Sequence, residues 1–363
     1  MHGKYLRFFT LFAALATINV IVLNLENTSN QPVPSALVNF QAKRETSNQE
    51  TTISLGPLEA AKRDVFIVTA HHRSIETTAT FINRLFNAYN RKFRNSILIF
   101  HEPDQQFSEG IINELKINFN FVDGEISLLE FHDLNFTLPK ELIRKFNQSG
   151  RGLDKIIEEI QNGGKVVFSH LFPRYHQILN FWFSQVFKLK ALDNVEYYWR
   201  LDTDSEILNK IPYNVFDFMR SNNFKYGYRV EEHDPSSVTQ GLWQFVDNFV
   251  RIYRINPANE NLASNLTFFK ENKDEEKLLV PLFYTNFEIC HVPTFRENNR
   301  IEQFSEQVER SLKIFTKRWG DAPLRWLQVG LFIDPKFYHQ FCDIEYFHQR
   351  PFPKNCSFPT IRS

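Results

Sequence analysis

Two carboxylates stand one residue apart in the segment EYYWRLDTDSE, residues 196–206. The residues just before them are mostly apolar, which predicts a buried strand. Alternate side chains of an extended chain point the same way, so Asp202 and Asp204 can face one target. Because two carboxylates aimed at one point repel each other, we expect a cation there, and their oxygens are ligands for Mn²⁺ or Mg²⁺. Acidic triplets also end ordinary strands and cap helices, so the triplet alone leaves both interpretations open.

Glu288 and Asp321 are two further acidic candidates. Glu288 stands in the apolar run LLVPLFYTNFEICHV, where an unpaired buried carboxylate is costly, so it is either a functional group or a structural carboxylate bound to backbone amides. Asp321 stands in the segment GDAP. It is suited to cap the helix that follows, because Pro323 would then lie in the first turn.

The elements that position these residues follow from the hydrophobic pattern. We predict strands at 64–70, 96–100, 165–170 and 225–230, and helices from 75 to 85, from 108 to 117, from 175 to 192 and from 213 to 220. Strands that alternate with helices indicate a parallel α/β sheet. The acidic pair would then lie at the carboxyl end of a central strand, where open α/β sheets bind ligands.

The composition indicates a globular protein whose basic and acidic residues balance. The chain has 363 residues, 42% of them hydrophobic, with 38 Phe and no internal repeat. This is enough for one large domain with a substantial core. Basic and acidic residues both number 42, so no polybasic surface indicates nucleic-acid binding.

The N-terminus predicts a membrane anchor. Residues 8–25 contain no charged residue and are near the lower length limit for spanning a bilayer. Basic residues precede this run and the next one is Lys43, so the rest of the chain is expected outside the cytosol. A cleaved signal peptide is the alternative, but its site at 14–16 would split the apolar run. We therefore predict a cytosolic tail at 1–7, a transmembrane signal anchor at 8–25, a flexible stem at 26–61 and a catalytic domain at 62–363.

Possible modifications agree with an oxidising, lumenal compartment. Acceptor triplets for N-glycosylation begin at Asn27, Asn135, Asn147, Asn265 and Asn355. The three cysteines allow at most one internal disulfide, and Cys342 with Cys356 is the most local pairing.

Several motifs give the chain a resemblance to a known family. They are YYWRL before the acidic pair, YNVFDFMRSNNFKYGYRV at 213–230, TNFEI at 285–289 and RWGDAP at 318–323, followed by LFI, FCDIEYFH and NC. In this order they resemble the fungal Golgi α-1,2-mannosyltransferases, glycosyltransferase family fifteen. The resemblance covers about 175–357, with weaker similarity back to Arg63.

This resemblance implies a fold, a reaction and a location. The fold is an α/β domain of the GT-A type, with a central mixed, mainly parallel sheet flanked by helices. The reaction is retaining transfer of mannose from GDP-mannose to a mannose-containing glycan in protein glycosylation, with Mn²⁺ or Mg²⁺ as cofactor. The protein would be a single-pass type II protein of the Golgi membrane with its catalytic domain in the lumen.

The resemblance also assigns metal-site residues. Asp202 and His348 match the metal ligands, and Asp204 would lie beside the bound donor. Asp202 stands where the family usually has Glu, and Thr203 where it has Pro, which puts metal affinity and sugar choice in doubt.

Three other residues receive roles in the same way. Glu288 matches the residue proposed to act at the anomeric carbon, as nucleophile or as a stabilising charge, and Asp321 matches an active-site acid. Tyr175 matches a tyrosine that contacts donor or acceptor. The arginines usual just after it are replaced by His176 and Asn180, so a cation that would meet phosphate is absent from this segment.

Two other functions stay open at this stage. The altered residues at 202 and 203 fit a catalytically silent relative that binds glycan or acts as a scaffold, and they also fit a transferase of another sugar nucleotide. A hydrolase with paired carboxylates is disfavoured, because the acidic triplet stands in a protein with a predicted membrane anchor. The acceptor and the oligomeric state are not encoded in any pattern that we can interpret.

Overall fold

The computed structural model describes residues 62–71, 74–104, 106–148, 150, 152–163, 168–272, 279–352 and 356. The predicted tail, anchor and stem at 1–7, 8–25 and 26–61 lie outside these residues. Within the described part of the chain, no helix has both the length and the apolar character needed to cross a bilayer.

The strands form one large sheet and two small ones. They are β1 Arg63–Ala70, β2 Ser96–His101, β3 Leu129–Asp133, β4 Val195–Leu201, β5 Glu206–Ile207, β6 Tyr226–Tyr228, β7 Glu231–Asp234, β8 Val280–Phe283, β9 Phe287–His291, β10 Tyr338–Gln340, β11 Tyr346–His348 and β12 Arg350–Phe352. The large sheet has the order β10-β6-β9-β4-β1-β2-β3, and β9 alone runs antiparallel to its neighbours. The predicted mixed, mainly parallel sheet is therefore confirmed, with β4 at its centre.

Helices cover both faces of this sheet. They are α1 Ile75–Leu85, α2 Arg91–Phe93, α3 Phe107–Asn118, α4 Asp123–Ile126, α5 Lys140–Gln148, α6 Leu153–Gly163, α7 Arg174–Phe183, α8 Val215–Ser221, α9 Ser236–Thr239, α10 Leu242–Tyr253, α11 Glu260–Asn272, α12 Val292–Glu297, α13 Asn299–Ser311, α14 Lys313–Lys317 and α15 Asp321–Phe332. Alternate residues of β1 enter different cores: Val65 and Ile67 join one hydrophobic cluster, and Phe66 and Val68 join the other. Burial on both faces explains why β1 and β2 are continuous apolar runs.

Most predicted elements are present, and two predictions were wrong. The helix predicted at 175–192 ends at Phe183, where Ser184 leaves helical geometry and its hydroxyl contacts Glu309; short 3₁₀ turns follow at Gln185–Lys188 and Lys190–Leu192. The strand predicted at 165–170 is not formed at its described end, where Ser169–Leu171 is a 3₁₀ turn, and 165–167 lie outside the described residues.

A small antiparallel sheet brings the C-terminal segment to the end of the central strand. β5 begins two residues after Asp204 and pairs with β11, with Phe347 opposite Glu206. β11 also pairs with β12. The predicted disulfide between Cys342 and Cys356 is present and fastens this region. His348, the last residue of β11, is thus carried to the acidic triplet.

Candidate metal centre and active site

Asp202, Asp204 and His348 form one group of possible metal ligands. One ligand atom from each lies within 4.8 Å of the others. Nε2 of His348 is 3.2 Å from Oδ1 of Asp204. The turn that carries the aspartates is closed by Ser205, whose amide and hydroxyl both donate to the carbonyl of Asp202. The two predicted metal ligands, Asp202 and His348, therefore lie together, and Asp204 lies with them.

The donor set fits a hard or borderline divalent cation. Two carboxylates and one imidazole are a suitable set for Mn²⁺, and three protein ligands leave coordination positions for ligand oxygens. A hydrogen bond to His348 holds the pKa of Asp204 below its usual value, against a smaller opposing effect of burial. Asp204 is therefore anionic at neutral pH, as a metal ligand must be.

A second layer of contacts orients the His348 ring. Nδ1 lies 2.8 Å from Oη of Tyr284 and 2.8 Å from Nδ2 of Asn286, and the residue is buried. The amide nitrogen of Asn286 is a donor, so Nδ1 accepts its hydrogen bond, and the two contacts at Nδ1 fix the plane of the ring with Nε2 directed at the aspartates. Neither partner was predicted from the sequence, although Tyr284 immediately precedes the TNFEI motif and Asn286 is its second residue.

Arg200 lies directly behind the metal group. Its Nη1 donates to Oδ2 of Asp321 at 2.6 Å, and its Nε lies 3.3 Å from Oδ1 of Asp202. Its guanidinium carbon is 4.0 Å from the centre of the Trp182 ring. Burial opposes the charge of Arg200, but Asp202 and Asp321 outweigh burial, so the pKa of Arg200 is raised. The sequence signal for Arg200 was a basic residue inside a buried strand, two positions before an acid.

Asp321 is bound to Arg200 and does not cap its helix. Gly320 is the N-cap of α15, and Asp321 is the first helical residue. Its carboxylate accepts from Arg200 and, at 2.9 Å, from the hydroxyl of Thr285. The predicted capping role was wrong, because Gly320 occupies the N-cap position, one residue before Asp321, and no side chain caps this helix end.

Tyr175 belongs to a second charged group beside the first. Nη2 of Arg318 donates to the Tyr175 hydroxyl at 2.7 Å, and Nη1 of Arg318 is 3.6 Å from Oδ2 of Asp234. Burial raises the pKa of Tyr175, although Arg318 opposes this. The segment after Tyr175 lacks the arginines that the family usually has, but Arg200 and Arg318 bring two cations to this region from other elements.

Glu288 lies in a fully buried cluster beneath Arg200. The residue is 0% exposed, and its carboxylate accepts from the hydroxyls of Tyr198 at 2.8 Å and Tyr226 at 3.1 Å. Nε of Arg325 lies 3.2 Å from the same carboxylate. Glu288 and Arg200 are paired across β9 and β4. These contacts give Glu288 a structural role through side chains and not through the backbone amides that were expected. Its direct role at the anomeric carbon stays a prediction.

A separate cavity lies on another face of α7. Its volume is about 470 Å³, and its lining includes Gln177, Asn180 and Glu309. At 100° per residue, the first two side chains project from the opposite side of α7 to Tyr175. The cavity is therefore distinct from the candidate active site.

The comparisons with known proteins agree on one family. A family model described as glycolipid 2-alpha-mannosyltransferase matches residues 22–361. The probable mannosyltransferase KTR4 of Saccharomyces cerevisiae is 25% identical over 303 residues, which are 80% of this chain and 61% of that protein. The probable mannosyltransferase KTR3 of the same yeast is 24% identical, and the match spans 80% of this chain and 68% of KTR3.

Solved structures show the same fold. Core-mannan synthase A (CmsA/Ktr4) from Aspergillus fumigatus in its Mn/GDP form has a TM-score of 0.65 at 21% identity, covering 89% of this chain and 87% of that one. The mannosyltransferase Ktr4p from S. cerevisiae in complex with GDP has a TM-score of 0.64 at 23% identity, covering 89% and 80%. The mixed α/β domain therefore has the fold of these mannosyltransferases.

Proposed function

The chain belongs to the glycolipid 2-alpha-mannosyltransferase family, and from this we propose that it transfers mannose from GDP-mannose to a mannose-containing glycan. The new linkage is α-1,2, and the anomeric configuration is retained. In this reaction the bond from mannose C1 to the diphosphate oxygen breaks, a bond from C1 to the acceptor 2-oxygen forms, and the proton of the acceptor hydroxyl passes to the departing diphosphate. The acceptor class, whether N-glycan, O-glycan or glycolipid, is left open.

The observation that carries this proposal is the group formed by Asp202, Asp204 and His348 at the carboxyl end of β4. We propose that these three side chains hold Mn²⁺ or Mg²⁺. When bound, the ion supplies positive charge that stabilises the departing diphosphate. Tyr284 and Asn286 fix the ring of His348, so the ligand set is preorganised.

The remaining site residues have roles that their contacts support. Arg200 holds Asp202 and Asp321 in place through one buried guanidinium. We propose that Asp321 and Tyr175 face the bound sugars, since both lie at the carboxyl edge of the sheet. Glu288 neutralises Arg325 and adds negative charge beneath Arg200. We also propose that Glu288 places negative charge near the anomeric carbon.

We also propose a location, which the described residues do not test. The protein would be a single-pass type II protein of the Golgi membrane, with the predicted anchor at 8–25 and a lumenal catalytic domain. The disulfide between Cys342 and Cys356 supports an oxidising compartment. Asn135 and Asn147 are exposed and therefore accessible as glycan acceptors.

The experiment incubates the full chain with a panel of sugar nucleotides, with and without Mn²⁺, and measures free nucleotide and transfer to methyl α-mannoside. We expect GDP release from GDP-mannose that requires the metal, and an α-linked disaccharide. Because mannose is α-linked in the donor, an α-linked product means retention. Turnover of a different sugar nucleotide would replace the donor assignment. Glycan binding without any turnover would favour the silent relative.

A further inference from the structure

An exposed aromatic ring lies beside the second charged group of the active site. Phe168 is 42% exposed, and its ring is in edge contact with that of Tyr175, with 5.6 Å between centroids. The guanidinium of Arg318 lies 5.2 Å from the Phe168 ring and 5.5 Å from the Tyr175 ring. Single exposed rings are common, but this one packs on Tyr175 and Arg318 of the candidate site, and that position makes it a candidate contact surface for a ligand.

The backbone holds this ring in a defined place. Phe168 has φ +57° and ψ 36°, in the left-handed region that is rare for residues other than glycine. Its carbonyl accepts from the amide of Leu171, and the hydroxyl of Ser169 donates to the carbonyl of Gln161 in α6. Strained conformations of this kind persist where surrounding contacts enforce them, and they are common at ligand sites. The ring is therefore positioned before any ligand arrives.

A continuous set of contacts joins Phe168 to the metal group. Tyr175 and Arg318 contact Phe168, and Arg318 is paired with Asp234. A Cβ placed on Gly320 would lie 3.5 Å from the Asp234 carboxylate and 3.6 Å from Arg318. The next residue along the chain is Asp321, which reaches Asp202 through Arg200. The exposed ring is thus linked to the metal group through Arg318 and Asp321, and it lies beyond Tyr175 as seen from that group.

We propose that Phe168 is an acceptor-binding residue, on whose ring the acceptor glycan places the apolar C–H face of a pyranose while Tyr175 and Arg318 offer polar groups to its hydroxyls. This inference rests on the proposed transferase function and names the part of the site that selects the acceptor. A phenyl ring offers no ligand to a metal and no hydrogen bond to a diphosphate, so its chemistry suits a sugar face and not the charged half of the donor. Burial of the ring face by a sugar stabilises the complex through removal of apolar surface from water.

The test compares Phe168→Ala and Phe168→Tyr in the full chain. Both variants keep a Cβ, so the cost of the left-handed backbone is unchanged. Phe268→Ala is the matched control, because Phe268 is also 42% exposed but lies on α11. That helix packs against Gly330 near the far end of α15, away from Asp321.

Three quantities are measured: affinity for methyl α-mannoside by calorimetry with Mn²⁺ and GDP present, affinity for GDP with Mn²⁺, and transfer kinetics. We expect Phe168→Ala to weaken mannoside binding and raise the acceptor KM about tenfold, with kcat, GDP affinity and melting temperature close to wild type. Phe168→Tyr and Phe268→Ala should bind the mannoside like wild type.

The outcomes separate this inference from the proposed function. Unchanged mannoside affinity in Phe168→Ala, or no mannoside binding by the wild type, would overturn the acceptor surface. A loss of GDP affinity in Phe168→Ala would also overturn it, since the ring would then contact the donor. A third outcome is that Phe168→Ala loses mannoside binding but the wild type does not consume GDP-mannose. The inference would then stand while the transferase assignment fails.

Discussion

Arg200 joins the centre of the sheet to the start of α15 through a hydrogen bond of 2.6 Å from its Nη1 to Oδ2 of Asp321, 121 positions further along the chain. The same guanidinium reaches Asp202 at 3.3 Å. One buried cation thus fixes a proposed metal ligand and a proposed active-site acid at once. The first prediction concerns this pair.

Loss of Arg200 should destabilise the fold strongly, because Asp321 would remain as a buried carboxylate without its cation. We expect Arg200→Met to lower the free energy of unfolding by about 3–5 kcal/mol. Asp321→Asn should cost less, since Asp202 still faces Arg200. The double variant should lose clearly less than the sum of the two single changes, measured by thermal unfolding. Additive losses would show that the two side chains are not coupled.

The second prediction concerns metal binding. Asp202→Asn, Asp204→Asn and His348→Ala should each weaken Mn²⁺ binding at least about tenfold and remove most of the rise in melting temperature that Mn²⁺ produces. Asp204→Asn is the most direct test, because its side chain is 65% exposed and its metal-free stability should change little.

Asp217→Asn provides the matched control for that variant. The Asp217 side chain is 64% exposed and pairs with Arg220 on α8. Calorimetric titration with Mn²⁺ should give the wild-type affinity for this control. Wild-type Mn²⁺ affinity in Asp204→Asn would instead show that Asp204 is not a ligand.

The third prediction concerns stability at acid pH. Burial, with a contribution from Lys225, lowers the pKa of His291 to about 4. In the unfolded chain the pKa is near 6.5. Between these values the unfolded state binds a proton that the folded state does not, so the contribution of His291 to stability is intact above about pH 6.5 and is lost as the pH falls toward 4.

His291→Asn should remove this dependence without removing the helix cap. The imidazole Nδ1 accepts from the amide of Thr294 at the start of α12, and an Asn side chain can do the same. We expect the melting temperature of the variant to fall less than that of the wild type between pH 6.5 and pH 4.5. If the melting temperatures of the two proteins fall in parallel with pH, a group other than His291 carries the pH dependence.

The sequence predicted the parts of this structure that depend on local pattern. β1 and β2 are apolar runs buried on both faces, and β4 ends where its polarity changes at Asp202, so all three were identifiable. The end of α7 depends on a contact between Ser184 and Glu309, 125 positions apart, which no local pattern contains. The pairing of β5 with β11 involves strands of two and three residues, too short for a periodic signal. Only the family resemblance linked His348 to the aspartates.

The last prediction concerns Glu288, for which two roles remain. Its carboxylate is the counter-charge of Arg325, whose side chain is 1% exposed. Burial alone would lower the pKa of Arg325, but Glu288 and the neighbouring tyrosines raise it. Glu288→Gln keeps the shape of the side chain while leaving the Arg325 charge unpaired.

We therefore expect Glu288→Gln to lower the free energy of unfolding by about 3–5 kcal/mol, with the loss reduced when Arg325 is also changed to Gln. An unchanged melting temperature in the single variant would contradict the structural role. Single-turnover transfer, divided by the folded fraction, then tests the chemistry. If Glu288 acts only through packing, turnover per folded molecule stays near wild type. If it also stabilises charge at the anomeric carbon, turnover falls a further hundredfold or so at unchanged GDP affinity, because such a group acts mainly in the transition state.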